Sequence, residues 1–140
     1  MFLPARNIEK VLESLGYDPK ESKIDDSTWG VVKGSAIVLI NVIEGELFAV
    51  HSPMADIPKN NLVGLYRHLL ESNFTETMQS RFFIQDNVIH LGTLRPLQGL
   101  DREEMESIIA EIAVLSDKFD DYLKSEFGAK LITERKRFLR

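Results

Sequence analysis

The sequence predicts an α+β fold with a mainly antiparallel five-stranded sheet and elements in the order α-β-β-β-α-β-β-α. Strand-like apolar runs occur in two blocks, and residues typical of tight turns join the strands within each block. Three longer stretches instead repeat apolar residues at helical spacing. With 140 residues, 44% of them hydrophobic, the chain has the size and composition of one soluble domain.

The first block is the centre of the predicted sheet, with strands at Thr28–Val32, Ser35–Ile43 and Glu46–Met54. Its two joints, Lys33-Gly34 and Glu44-Gly45, each supply a glycine for the left-handed conformation that a tight hairpin needs. The middle strand is apolar at both alternating sets of positions. It is therefore predicted to be covered on both faces or to lie at an interface.

The second block is a hairpin of Arg81–Gln85 and Val88–Leu94, joined by Asp86-Asn87, two residue types that tolerate left-handed geometry.

In the first block, Pro53 cannot donate to a ladder, so we expect the third strand to end there or to be exposed at an edge. The polar stretch 17–26 is predicted as a loop.

Three amphipathic helices are predicted at Pro4–Leu15, Asn60–Phe74 and from Asp101 to Phe127. Asp101 and Glu104 have the spacing of a capping box, and the third helix is about 40 Å long. Helices one and three, placed on one face of the sheet, would leave apolar side chains on the other face. Because large exposed apolar patches usually mark interfaces, we expect a homodimer or a protein ligand.

The charge is unevenly distributed between the body of the chain and its end. The overall formal charge is −5, and the last eleven residues carry five cationic residues and one glutamate. We expect one α+β domain over residues 1–128 and a basic tail over residues 129–140. The acidic body disfavours binding to nucleic acid.

Composition favours a cytoplasmic protein without membrane insertion. The chain has no cysteine, which excludes disulfides and thiolate chemistry and is typical of a reducing compartment. Its first residues lack a basic leader with a long apolar core, so we expect no signal peptide. The longest apolar run, Ala36–Ile40, is too short to cross a bilayer.

No motif points to catalysis, a cofactor or a metal. His51, His68 and His90 have no partner at ligand spacing, so hydrogen-bonded structural rings are the expectation. No nucleophile elbow, dinucleotide fingerprint or phosphate loop occurs. We therefore expect no enzyme activity.

Three carboxylates and five possible partner contacts remain. On the third helix, the aspartates at 117, 120 and 121 share one side, which we interpret as a solvated acidic face. Trp29 lies at the start of the first strand, where its side chain would either cover the core or contact a partner. Three further contacts are placed at strand ends and one on the second helix, although turn geometry alone would also explain the strand ends. The candidate partner-binding residues are Trp29, His51, Met54, Tyr66 and Arg95.

Residues 3–128 contain five stretches that resemble a known family. They are Trp29-Gly30 through Ile40, Phe48–Met54, Leu62–Leu70 with Asn73-Phe74, Phe82-Phe83-Ile84, and Leu91–Leu100. Together with the order of elements, the length and the acidity, these stretches resemble the class I type III secretion chaperone-like fold, and within it the YbjN-like group of bacterial proteins.

This resemblance implies a small acidic homodimer that binds extended protein segments on its sheet and helix surfaces, with the dimer made by the second helix or neighbouring strands. The first hypothesis is accordingly a non-enzymatic, dimeric protein-binding module, chaperone-like or regulatory. The second hypothesis is a small-molecule-binding or enzymatic domain that uses the open sheet face as a pocket, with His51, His90 and Arg95 as its polar groups. A third is a structural subunit of a larger complex, tethered by its basic tail.

Overall fold

A computed structural model describes residues 3–132 and shows an α+β fold built on one antiparallel sheet. The strand order across the sheet is β1-β2-β3-β4-β6-β5. The elements along the chain are α1 (Leu3–Ser14), α2 (Pro19–Ser22), β1 (Lys23–Asp25), β2 (Thr28–Lys33), β3 (Ala36–Ile43), β4 (Leu47–Asp56), α3 (Leu62–Thr75), β5 (Arg81–Gln85), β6 (Val88–Pro96) and α4 (Arg102–Phe127).

The predicted fold class is confirmed. Each predicted helix and strand begins and ends within two residues of its predicted boundaries. The hairpin between β5 and β6 turns through Asp86 and Asn87, which both have positive φ, as the sequence predicts. At the start of α4 the Asp101 carboxylate accepts a hydrogen bond from the backbone N–H of Glu104, at 2.8 Å.

The sheet has six strands, so the predicted number of five is wrong. The additional strand is β1, which lies inside the stretch predicted as a loop and pairs with β2 next to Trp29. Its turn into β2 is held by the Asp25 carboxylate, which accepts a hydrogen bond from the backbone N–H of Ser27. Three residues without an apolar pattern carry too little signal to be recognised as a strand.

The prediction that Pro53 ends its strand or exposes it at an edge there is partly correct. Pairing of β4 with β3 stops at His51, but β4 continues to Asp56 along its other edge, next to β6. A change of register between Pro53 and Ala55 marks a bulge. A proline removes a donor on one side of a strand only, so one ladder ends and the other continues.

All the long helices pack on the same face of the sheet. α1 and the first half of α4 cover β2, β3 and β4, and α3 with the second half of α4 covers the end that contains β5 and β6. The largest fully buried side chains on this face include Trp29, Phe48, Ile109 and Leu91. No helix within residues 3–132 is long and apolar enough to cross a membrane.

The opposite face of the sheet, called here the open face, is only partly an exposed apolar surface. At its centre, Ile37, Leu39 and Val88 are almost completely buried by their neighbours. Val32, Ile43, Phe83 and Leu94 remain partly exposed around them. The expectation of a broad apolar face therefore holds for its margins and fails at its centre.

Residues 129–132 pack against the domain. Ile132 donates its backbone N–H to the carbonyl of Met54, and Lys130 accepts from the N–H of Asp56, so this segment uses the edge of β4 that β3 leaves free. The side chain of Ile132 is buried with Ile37 and Val88. The other residues of the predicted basic tail, 133–140, lie outside the described part of the chain.

The predicted acidic face on α4 is wrong at one position. Asp120 is 4% exposed, and the Oγ of Ser35 in the β2–β3 turn lies 2.8 Å from its Oδ2 and 3.0 Å from Oδ1 of Asp117. Burial raises the pKa of Asp120 to about 6, and the negative charges of Asp117 and Asp121 act in the same direction. The hydroxyl of Ser35 donates a hydrogen bond to Asp120, and this bond only partly offsets the rise in the pKa of Asp120.

We expect Asp120→Asn to stabilise the protein by about 1–2 kcal/mol at pH 7.5, because it removes a charge that the fold disfavours. The raised pKa means that Asp120 contributes stability below pH 4 and loses it as the pH rises through about 6. Urea denaturation between pH 4 and 8 measures both effects. Glu126→Gln, which neutralises an exposed carboxylate near the end of the same helix, is the control, and an equal pH slope in wild type and Asp120→Asn would contradict the assignment.

Candidate functional site

Helix α3 carries an exposed apolar stripe on the side that faces away from the core. Val63, Leu70 and Phe74 follow helical spacing and are 83%, 71% and 91% exposed. The opposite side of the same helix buries Leu65 and Leu69 in the core. Since residues on an outward helix face are usually polar, this stripe is the clearest sign of an interface in the fold.

A shallow groove of about 340 Å³ runs between this stripe and the edge strand β5. Its walls include the predicted contact residue Tyr66, and Leu69, Leu70, Asn73, Phe82, Phe83 and Ile84. We call the stripe and the groove together the α3–β5 surface. It combines apolar side chains with a strand edge, the two features that a docking protein uses.

Asn73 partly closes the edge of β5. Its side-chain oxygen accepts from the backbone N–H of Phe82 at 2.6 Å, and its amide nitrogen donates to the carbonyl of the same residue at 3.3 Å. The next backbone position with groups on that edge is Ile84, because alternate residues of a strand point their backbone groups to the same side. The free edge of β5 is therefore blocked at Phe82 and open at Ile84.

On the open face, three rings from three neighbouring strands form a cluster. His90 on β6 stacks on Phe83 of β5, with ring centres 4.8 Å apart and planes within 12°. His51 on β4 lies on the other side, and its Nδ1 is 3.3 Å from the Nδ1 of His90. His51 pairs with Gly92 and His90 with Pro53, so the two histidines are diagonal neighbours in the ladder.

Gly92 makes room for this ring cluster. A Cβ at this position would lie 2.7 Å from the carbonyl oxygen of Val50, 2.8 Å from the Cβ of His51 and 3.0 Å from the ring of Phe83. Only a residue without a side chain fits there, so the rings lean over a strand position that any other residue would fill.

Both histidines of the cluster are neutral at pH 7. Burial lowers the pKa of His51, and burial together with the nearby His51 lowers the pKa of His90 to about 4. Backbone hydrogen bonding at Gln85 and the charge of Asp86 oppose the shift of His90 and only partly offset it.

The cluster separates two open cavities on this face. One, of about 760 Å³, is lined by apolar residues such as Ile43 and Leu94 and by Arg81. The other, of about 510 Å³, contains both histidines and the oxygen-bearing side chains of Asp25, Asn41 and Asp86. We call the second one the histidine cavity. It brings together two imidazoles and several possible oxygen ligands in one solvent-accessible space.

A third cleft of about 770 Å³ lies between α3 and α4. His68 stacks on Tyr122 there with ring centres 4.4 Å apart, and Lys118 pairs with Glu76 at 3.8 Å. The residues that line this cleft carry charges of both signs, and one anion and one cation among them form this ion pair.

The predicted partner-binding residues do not form one site. Trp29 and Met54 are at most 1% exposed and belong to the core, which removes them from the accessible surface. Arg95 lies on the helix-covered side, where its guanidinium donates to Glu104 on α4 at 2.7 Å. Tyr66 lies on the α3–β5 surface and His51 on the open face.

Sequence reasoning missed the pairing of His51 with His90 and the exposed stripe of α3. The histidines are 39 positions apart, and only the register of β4 against β6 brings them together. The stripe is apolar in the sequence, but so is the buried side of the helix, which hides the difference. Within residues 3–132, no group of three or more histidines, cysteines or carboxylates is placed to hold a metal.

We expect Gly92→Ala to destabilise the protein by about 1–3 kcal/mol, because the added methyl group meets a backbone oxygen that cannot move aside. The free energy of unfolding in urea measures this cost. A change below about 0.5 kcal/mol, the usual size for a surface substitution, would show that the strand tolerates a side chain and that the rings do not need the glycine.

We expect the stability of wild-type protein to lose a contribution from His90 as the pH falls from about 6.5 towards 4. A histidine with a lowered pKa stabilises the fold above its unfolded pKa, and the contribution disappears as the pH falls through the folded value. His90→Asn removes this contribution, and His68→Asn is the control. Thermal unfolding at pH 4.5, 5.5 and 7 measures the difference, and identical pH profiles would contradict it.

The fold is that of type III secretion chaperones. The chain is similar to one chain of the heterodimeric ExoU–SpcU complex of the Pseudomonas aeruginosa type III secretion system, with a TM-score of 0.65, 12% identity, and coverage of 84% of this chain and 98% of that one. It is also similar to the Yersinia pestis type III secretion chaperone SycH solved with a fragment of another protein, with a TM-score of 0.60, 14% identity, and coverage of 83% and 98%.

A third similar structure is YbjN from E. coli, described as a putative transcription regulator, with a TM-score of 0.54, 13% identity, and coverage of 91% of this chain and 94% of that one. No curated protein sequence matches this one significantly. A family model matches residues 4–125, which is most of the chain. The chain therefore belongs to the YbjN family, which is described as putative bacterial sensory transduction regulators.

Proposed function

We propose that this chain is a non-enzymatic, homodimeric protein-binding module with a chaperone-like or regulatory role. The observation that carries the proposal is the apolar stripe of α3, where most of the surface of Val63, Leu70 and Phe74 is exposed. Burying apolar surface stabilises an association by about 25 cal/mol per Å². Three large side chains beside an apolar groove favour a protein occupant over solvent.

A second copy of the chain fits the chemistry of this surface. Symmetric dimers pair the same patch on both subunits, so an apolar stripe on one helix meets the same stripe on its copy. Arg67 and Glu71 lie beside the stripe and form an exposed ion pair at 3.2 Å. In an antiparallel pairing of two α3 helices, each arginine would face the glutamate of the other copy.

The similar structures support a role in binding proteins, because SycH and SpcU were each solved with another protein. The description of the YbjN family supports a regulatory use of that binding. The proposal includes the cytoplasmic location that the composition predicts. In this arrangement the α3–β5 surface holds the dimer together, and the open face is available to a further partner.

A second candidate function is ligand binding at the open face. Two of the three polar residues that the sequence suggested for such a pocket, His51 and His90, line the same 510 Å³ cavity. Arg95 is on the other face of the sheet and takes no part. The histidine cavity supports this alternative and specifies the ligand site as one built on two neutral imidazoles.

We expect Leu70→Glu to convert the protein to a monomer, because it places two charges at the centre of the proposed dimer contact. Wild type is expected at twice 16.0 kDa by light scattering at micromolar concentration, and Leu70→Glu at 16.0 kDa. Leu94→Glu is the matched control. It changes a leucine of similar exposure, 64% against 71%, on the open face, and is expected to remain dimeric.

Wild type with the mass of a single chain at every concentration would overturn the dimer. Equal masses of all three proteins at the dimer value would place the interface elsewhere. Protein binding is tested separately by cross-linking the wild-type chain in its own cells. Recovery of no protein other than a second copy would count against the wider function.

A further inference from the structure

The two histidines on the open face already have the spacing of metal ligands. Their Nδ1 atoms are 3.3 Å apart. Two imidazole nitrogens that each lie about 2.0–2.1 Å from a tetrahedral ion are themselves about 3.3 Å apart. The distance between the two nitrogens therefore matches one edge of a tetrahedral coordination site.

Hydrogen bonding in the cluster prepares the nitrogen of His90 for a metal. The ring of His90 hydrogen-bonds to the backbone of Gln85. We assign that N–H to Nε2, because Nδ1 is the atom that faces His51. The Nδ1 of His90, which faces His51, then carries the lone pair that a metal ion needs. An imidazole that donates its other N–H to a backbone carbonyl is the usual arrangement of a metal-binding histidine.

The strands hold both rings in place. Phe83 stacks on His90 at 4.8 Å, and the missing side chain at Gly92 lets the rings approach one another. A site on three adjacent strands loses little side-chain freedom when an ion binds. The ligands are therefore positioned before the ion arrives.

The surroundings favour a cation. The histidine cavity is lined by the carboxylates of Asp25 and Asp86 and by the amides of Asn41 and Gln85, and no cationic side chain among residues 3–132 lines it. Arg81 lies in the neighbouring cavity on the other side of the ring cluster. An ion at the histidines would thus face negative charge and neutral oxygens across about 510 Å³ of solvent-accessible space.

We propose that His51 and His90 bind a divalent transition-metal ion such as Zn²⁺ or Ni²⁺ through their Nδ1 atoms, with the other coordination positions open to the cavity. Neutral imidazole prefers such ions to Mg²⁺ or Ca²⁺, which prefer oxygen. Two protein nitrogens give a weaker site than the three or four of a structural or catalytic zinc site. This inference specifies the ligand class of the second candidate function and is independent of the dimer.

Proton balance in this site is simple. Without metal, His51 donates its Nδ1 proton to the lone pair of His90 Nδ1. Metal binding requires the other tautomer of His51, with its proton on Nε2. The proton moves between the two nitrogens of one ring, so a neutral pair binds the ion without net release of a proton.

Calorimetry of the full chain with Zn²⁺ alone at pH 7.5 tests the proposal. We expect one ion per chain with micromolar affinity, weakened at least about tenfold in His51→Asn and in His90→Asn. His68→Asn, which removes the remaining histidine on α3, is the matched control and is expected to bind as wild type does. Thermal unfolding without metal shows whether each variant is folded.

Nuclear magnetic resonance of the imidazole nitrogens in wild type gives a second readout that needs no variant. We expect Zn²⁺ to shift the Nδ1 resonances of His51 and His90 and to leave those of His68 unchanged. Absence of binding up to millimolar Zn²⁺ would overturn the proposal. So would equal affinity in wild type and both variants, or a shift confined to His68. Loss of Zn²⁺ binding would leave the open face as a site for an uncharged small molecule.

Discussion

The constraint on which the structure depends is that every long helix lies on one face of the sheet. α4 crosses the sheet and joins two clusters of buried residues, one with α1 and one with α3. When helices cover only one side of a sheet, the apolar side chains on its second face must be buried by something else. Here the chain does so at the centre of that face, where Ile132 packs on Ile37 and Val88, and leaves the margins exposed.

The placement of all long helices on one face explains where the proposed interaction surfaces lie. α3 lies at the end of the sheet, where it packs one side on the core and has no further element of the described chain outside it, so its apolar stripe faces outward. The open face, freed from helices, can instead carry polar and aromatic groups close together. The proposed surface for a second copy and the histidine cavity thus lie in different parts of the fold.

The sequence was informative where a local signal determines the structure. The cap at Asp101 and the long apolar stripe that follows it predict α4 correctly. The sequence was uninformative where the structure depends on contacts between residues that are distant along the chain. β1 forms because β2 offers an edge, Asp120 is buried because the Ser35 turn reaches it, and His51 meets His90 through strand register alone. None of these contacts leaves a periodic pattern in the chain.

The most direct test of the account is whether the stripe of α3 is covered in solution. The chain has no cysteine, so Val63→Cys and Val114→Cys each supply a single thiol, at positions 83% and 56% exposed on α3 and α4. The rate of labelling by a thiol reagent is measured from nanomolar to micromolar protein. A dimer through α3 predicts slower labelling at position 63, and not at 114, as concentration rises. Labelling at position 63 that is equally fast at all concentrations would contradict the account.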